Sequence, residues 1–227
     1  MVSSREFVEC ARNALRELVP FAIEGASRRD KAVVTKRDGS LVTALDQEIE
    51  ARLLATFRQA FPNVPILGEE GAIDRQAQSA PEMYREFINS AYQIIIDPID
   101  GTRNFIEGSP RYCIAVALSA GQNQGVWPIA GVIAVPAEQA IYWSDEDSVF
   151  VEYLVSGEQQ HVRRIVNLEA PVSVNSRDRA WLAAHHRQLL LPWVSSGSSV
   201  YDFLGTVIGR NRASIAGSQR LWDLMAP

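Results

Sequence analysis

Apolar residues recur at helical spacing from Ser4 to Glu24. Phe7, Val8, Ala11, Ala14, Leu15, Leu18 and Val19 form one stripe, and charged residues take the other face. The pattern predicts a packing helix. A second helix is expected to open at Asp46, a residue type suited to capping, and to run to about Phe61 with Ile49, Leu53, Leu54, Phe57 and Phe61 facing inward. Between them, Lys36-Arg37-Asp38-Gly39-Ser40 holds the Asp-Gly pair of a tight turn, and the short apolar run Leu41-Val42-Thr43 follows. Asp46 therefore falls at a strand-to-helix junction.

Further on the period changes. Ile66-Leu67-Gly68 reads as a strand ending in Glu69-Glu70-Gly71, and the polar stretch from Ala72 to Pro81 reads as a surface loop. Tyr92 to Ile96 predicts a strand buried on both faces, because Ile94-Ile95-Ile96 is β-branched and wholly apolar. It stops at Asp97-Pro98-Ile99-Asp100-Gly101. Further strands are expected at Ile114 to Leu118, Ile129 to Val135 and Ala140 to Trp143. The remainder reads as a smaller α/β unit. Its strands are expected near Phe150 to Leu154, Arg163 to Ile165 and Val172 to Val174, and its helices near Ala180 to Leu190 and Ser199 to Gly209. The expected organisation is an N-terminal α+β domain over 1–145 and a smaller C-terminal α/β domain over 146–227, sharing one active-site cleft.

Composition narrows the class. With 47% hydrophobic and 22% charged residues over 227 positions, the chain has the balance of a globular protein, which argues against disorder and fibrous structure. A net charge of -5 without a Lys/Arg run argues against a nucleic-acid polymer as partner. Cys10 and Cys113 match no metal-binding spacing and read as free thiols of a reducing compartment. Charges from Arg5 to Glu17 break any apolar export segment, and no stretch approaches the roughly 20 apolar residues of a membrane span. A cytoplasmic protein with no membrane partner is expected.

The candidate chemistry lies at strand ends. Asp97 and Asp100 directly follow a buried apolar strand, where carboxylates are costly unless positive charge meets them. Oxygen ligands of this kind suit Mg²⁺ or Mn²⁺ rather than zinc. Gly101-Thr102 then opens a short helical turn whose amides could face an anion. Taken alone, D-P-x-D also fits two aspartates that merely cap a turn. Lys36 is read either as approaching such an anion or as solvated, Glu70 as a supporting or solvated neighbour of Glu69, and Arg103 as facing the anion or the surface. His161, His185 and His186 share no ligand spacing and read as packing or surface residues.

The longer string Asp97-Pro98-Ile99-Asp100-Gly101-Thr102-Arg103-Asn104-Phe105 resembles the D-P-I-D-G-T-x-N-F signature of the inositol monophosphatase family of lithium-sensitive phosphatases. Three other segments match in the family's order: Val42-Thr43-Ala44-Leu45-Asp46 (V-T-x-x-D), Gly68-Glu69-Glu70 (G-E-E) and Trp222-Asp223 (W-D). The resemblance implies an α/β fold layered as an αβαβα sandwich of the sugar-phosphatase type, with its C-terminal part shortened. It implies Mg²⁺-dependent hydrolysis of a small soluble phosphomonoester by a metal-activated water, with two or three ions and Mn²⁺ as a substitute. Glu69, Asp97 and the Ile99 carbonyl would hold one ion, and Asp97, Asp100 and Asp223 a second. A weaker third would lean on Glu69. Thr102 and Asp46 would form the pair that orients and deprotonates the water, with Glu69 completing the catalytic set. The substrate's phosphate would lie along Ile99-Asp100-Gly101-Thr102 and Gly197-Ser198-Ser199, received by amides of Gly101, Thr102 and the latter segment.

The chain also departs from the family pattern. Only Leu224 to Pro227 follow Asp223, which predicts a weakly held Asp223 and an exposed sheet edge that a homodimer partner would cover. A glycine-rich element is missing around Ser144 to Gln160. The acidic residue that grips inositol hydroxyls, seven positions before the W-D aspartate, is replaced by Ala216. Histidinol phosphate, a sugar phosphate or a 3′-phosphoadenosine nucleotide therefore stand beside inositol monophosphate as substrates. A non-catalytic metal-binding homologue is the rival from another class.

Overall fold

The computed structural model describes residues 2–28, 31–36, 39–71, 87–122, 125–145, 148–163, 167–185, 192–217 and 219–227. Arg37 and Asp38 of the expected turn, the expected loop from Ala72 to Pro81, most of the expected strand Arg163 to Ile165, His186 and the end of the helix expected to reach Leu190 lie outside the described residues.

Helix α1 spans Ser4–Ser27, and its apolar stripe buries Phe7, Val8, Ala11, Leu15, Leu18 and Val19 as the periodicity predicts. After the hairpin of β1 (Val33–Thr35) and β2 (Leu41–Thr43), α2 spans Ala44–Ala60. The cap of α2 is Thr43 rather than the expected Asp46. The Thr43 hydroxyl accepts from the Leu45 and Asp46 amides, and Asp46 reaches back to accept from the Thr43 amide at 2.9 Å, a reciprocal capping box.

A seven-stranded sheet forms the centre, in the order β3 (Ile66–Gly68), β4 (Tyr92–Asp100), β5 (Cys113–Gln122), β6 (Gly125–Val135), β7 (Ala140–Asp145), β8 (Ser148–Tyr153) and β9 (Glu158–Val162). Strands β3 and β4 pair in parallel and the others antiparallel. Strand β8, expected in the second unit, pairs with β7 along Ala140↔Tyr153 to Asp145↔Ser148, so the first sheet runs on through residue 162. Strand β9 is absent from the hydropathy pattern because its Glu-Gln-Gln-His-Val sequence is exposed at the sheet's edge.

Alternation along β4 distributes its isoleucines. Ile94 and Ile96 pack with α1 and α2 on one face, while Ile95 packs with Val200, Leu204 and Trp222 on the other. That second layer consists of α5 (Ser199–Val207) and α6 (Leu221–Met225). Beyond it lies a three-stranded parallel sheet, β11 (Trp193–Val194), β10 (Val172–Val174) and β12 (Ala213–Ile215), against which Leu182 of α4 (Ser176–His185) packs. Helix α3 (Thr102–Glu107) closes the end of β4. The architecture is the expected α/β sandwich of helix, sheet, helix, sheet and helix layers. Glu138, in a 3-10 turn after β6, ties the layers together: both its oxygens accept from Arg210 at 2.6 Å, and the Tyr142 and Tyr201 hydroxyls donate to it at 3.0 and 3.3 Å.

Candidate metal centre and active site

Parallel pairing brings the acidic strand ends together. Gly68, the last residue of β3, is in register with Ile96 of β4, so Glu69 emerges beside Asp97, which lies inside β4 because that strand runs on to Asp100 rather than stopping at Ile96 as expected. Asp97 shares the strand face of Ile95 and so projects toward α6, which carries Asp223. Register shifts between Asp97 and Asp100, which brings Asp100 into the same corner. Carboxylate oxygens of Asp97, Asp100 and Asp223 lie within 4.8 Å of one another. Together with Glu69, Ile99, Gly101, Thr102, Ser40, Arg220 and Trp222 they line a cavity of about 190 Å³.

Negative charge is concentrated there without an equal positive charge. Asp97 is 1% exposed and its Oδ1 has no hydrogen-bond partner. Burial, then the charges of Glu69, Asp100 and Asp223, raise its carboxyl well above the usual range. Asp100 rises to about 7 for the same reasons, burial first and Asp223 second, and burial brings Asp223 to about 6. Buried carboxylates this close are unfavourable together, and an orphaned oxygen among them fits a hard divalent cation.

The residues expected to handle the proton also meet. Thr102 Oγ1 lies 3.2 Å from Asp46 Oδ1 and 3.1 Å from the Ile99 carbonyl. The Thr43 amide and hydroxyl both donate to Asp46 Oδ2, which leaves Oδ1 directed at Thr102. Burial raises the Asp46 carboxyl above its usual value. Gly101, with φ of 87°, makes the bend into α3, and a Cβ there would stand 2.9 Å from Ser198 Cβ and 3.0 Å from the Arg111 carbonyl.

Gly197-Ser198-Ser199 reaches the same corner from the second layer. Here its donors meet Asp100: the Ser198 hydroxyl, the Ser199 amide at 3.3 Å and the neighbouring Val200 amide at 2.8 Å. Asp223 is held by the Arg220 amide at 2.9 Å. Lys36 is not solvated. Its side chain is 7% exposed and bridges Glu69 at 2.8 Å and Glu70 at 2.7 Å. Burial pushes Glu70 up to about 7 against the pull of Lys36. Arg103 is exposed, His161 stands edge-on to Phe150, and His185 stacks on Trp181.

Sequence reasoning missed four residues. Ser40 and Arg220 line the cavity but carry no local signal of it. Asn104 donates to the Arg111 and Ser196 carbonyls at 2.6 and 2.8 Å, locking α3 to the Gly197 segment, and was visible only as a letter of the motif. Glu50 is a 4% exposed carboxylate on the buried stripe of α2, a signal that the helical periodicity did contain.

A sequence model of the inositol monophosphatase family matches residues 3–227. The chain belongs to that family. It is 30% identical over 118 residues to an inositol monophosphatase of Dictyostelium discoideum, an alignment covering 52% of this chain and 40% of that protein. With an inositol-1-monophosphatase of Mycobacterium bovis it is 29% identical over 218 residues, covering 91% of this chain and 71% of the relative. The solved structure of an IMPase/NADP phosphatase complexed with NADP and Ca²⁺ superposes with a TM-score of 0.74 at 19% identity, covering all of this chain and 80% of that one. That likeness concerns the fold of the inositol monophosphatase family. Among the described residues no helix is long and apolar enough to cross a membrane.

Proposed function

We propose that this family member hydrolyses a small phosphomonoester in a Mg²⁺-dependent reaction at the Asp97 corner. The observation that carries the reading is Asp97 Oδ1, a buried acceptor without a partner beside Asp100 and Asp223. Asp97 with Glu69 and the Ile99 carbonyl, and Asp97 with Asp100 and Asp223, are the ligand sets for two ions, and Mn²⁺ would fit the same oxygen donors. When bound there, Mg²⁺ supplies charge neutralisation for the phosphate, a lowered pKa for water and stabilisation of the leaving alkoxide.

The chain's own residues supply position and a proton path. Thr102 Oγ1 can accept a proton from an attacking water while passing its own to Asp46, whose raised pKa makes it the better acceptor. Amides of Gly101 and Thr102, at the start of α3, receive phosphate oxygens, and Ser198 and Ser199 keep Asp100 aimed at the cavity. Phosphoryl transfer asks for positioning and charge stabilisation, and this set provides both without a covalent nucleophile. A homodimer that covers the β9 edge belongs to the same reading.

The relatives' names give inositol phosphate in several cases, histidinol phosphate in another and NADP for a structural neighbour, and Ala216 leaves no acid at the position where the family grips inositol hydroxyls. The test is phosphate release from inositol 1-phosphate, histidinol phosphate, fructose 1,6-bisphosphate and 3′-phosphoadenosine 5′-phosphate, with and without Mg²⁺. Metal-dependent release from one of them is expected. Silence on all four from folded protein favours the non-catalytic metal-binding homologue.

A further inference from the structure

Glu50 sits one helical turn after Asp46 on α2, buried, and its acceptors are used on backbone amides. Oε2 accepts from the Glu70 amide at 2.8 Å and Oε1 from the Gly71 amide at 2.9 Å. Both amides belong to the helical turn at residues 69–71 that opens directly after β3. The first amides of such a turn have no partners within it, so a carboxylate from another helix serves as their cap.

Gly68 completes the fit on the other side. A Cβ at Gly68 would come within 2.5 Å of Glu50 Oε2, so any side chain there displaces the carboxylate. Glu69 thus lies between a residue packed flat against Glu50 and two residues hydrogen-bonded to it. Its own side chain is left to meet Asp97 in the cavity, with Lys36 at 2.8 Å behind it. The Lys36 ammonium bonds to the Glu69 and Glu70 side chains and does not hold their backbone. Glu50 does.

We infer that Glu50 is a positioning residue for the metal centre, holding the corner from Gly68 to Gly71 so that Glu69 faces Asp97 at a spacing a divalent cation can bridge. The inference rests on the metal reading above. A carboxylate is required because two amides must be accepted at once, and a glutamine at this position would turn an NH₂ group toward one of them.

The test is calorimetric titration of Mn²⁺ into the chelator-stripped full chain, alongside the Mg²⁺ dependence of phosphate release. Glu50→Gln is expected to weaken Mn²⁺ binding about 10- to 100-fold and to raise the Mg²⁺ half-saturation in step, the range for groups that orient metal ligands. At saturating Mg²⁺ its kcat should stay within about twofold, since the reacting atoms are untouched. Glu48→Gln, an exposed change on the same helix, should alter neither quantity. Gly68→Ala perturbs the same contact from the opposite side, should weaken Mn²⁺ binding likewise, and carries the test if Glu50→Gln does not fold. Wild-type Mn²⁺ affinity in both variants, or a loss of kcat at unchanged affinity, overturns the positioning role alone. A wild-type chain that binds no Mn²⁺ overturns this inference together with the metal reading.

Discussion

Asp97 has one oxygen in the protein interior with nothing to accept, so without a cation its charge works against the fold. Asp97→Asn should therefore raise the Tm of the chelator-treated protein while lowering Mg²⁺-dependent phosphate release by roughly 100-fold or more. Retained release would remove Asp97 from the metal site. The carboxyls of Asp97, Asp100 and Asp223 are all raised, the last two to about 7 and about 6. Their folded-state pKa values exceed those of the unfolded chain, so the native state without metal holds protons that unfolding releases. The stability this supplies is present below about pH 4 and is lost as pH rises through about 6 to 7. Thermal melts of chelator-treated protein should show Tm falling from pH 5 to pH 8, with added Mg²⁺ raising Tm more at pH 8. A Tm that climbs over that window would contradict the burial of these groups. The clustered carboxylates of Asp97, Asp100 and Asp223 were legible in the sequence because each belongs to a short contiguous motif. The Lys36 bridge was not, because it joins a hairpin to a strand end 33 residues away.

At the scale of elements, the start of α2 shows how a cap and the orientation of the proposed proton acceptor share atoms. Thr43 caps the helix and directs Asp46 toward Thr102 through the same hydroxyl and amide. Thr43→Ala should cost about 1 kcal/mol of stability by denaturant melting. It should also lower kcat more than it raises the Mg²⁺ requirement, because Asp46 loses one of its two fixed donors. A variant with the stability loss and unchanged kcat would confine Thr43 to capping. The helix itself was readable from its period, but its cap was misplaced by three residues. Asp and Thr are both good caps, and only the direction of the chain leaving β2 makes Thr43 the N-cap and Asp46 the third helical residue. Short strands fared worse: β9, β11 and β12 have too few apolar positions for a period to register.

Across the whole molecule, the proposed active-site corner is assembled from both layers that flank the central sheet and depends on their alignment. The Glu138 clamp joins the turn after β6 to Tyr201 on α5 and to Arg210 just beyond it, and α5 begins at the Ser198 that holds Asp100. Glu138→Gln should lower stability by about 2 kcal/mol, the scale of hydrogen bonds to a charged group, and raise the Mg²⁺ half-saturation through the loosened α5. Unchanged metal dependence would mean that α5 is held by its apolar face alone. By itself the sequence singled out the acidic motifs that the structure brings to one corner and the buried strand that carries two of them, because buried strands and acidic motifs are local properties of a few neighbouring residues. It also determined the class of fold, through the family those motifs resemble. Only the tertiary structure decided that β8 and β9 extend the first sheet, that the donors of Ser198 and Ser199 meet Asp100, and that Glu50 braces the corner of Glu69. Those outcomes turn on which distant segments pack together, and burial gives a polar group its partner only after the layers have closed.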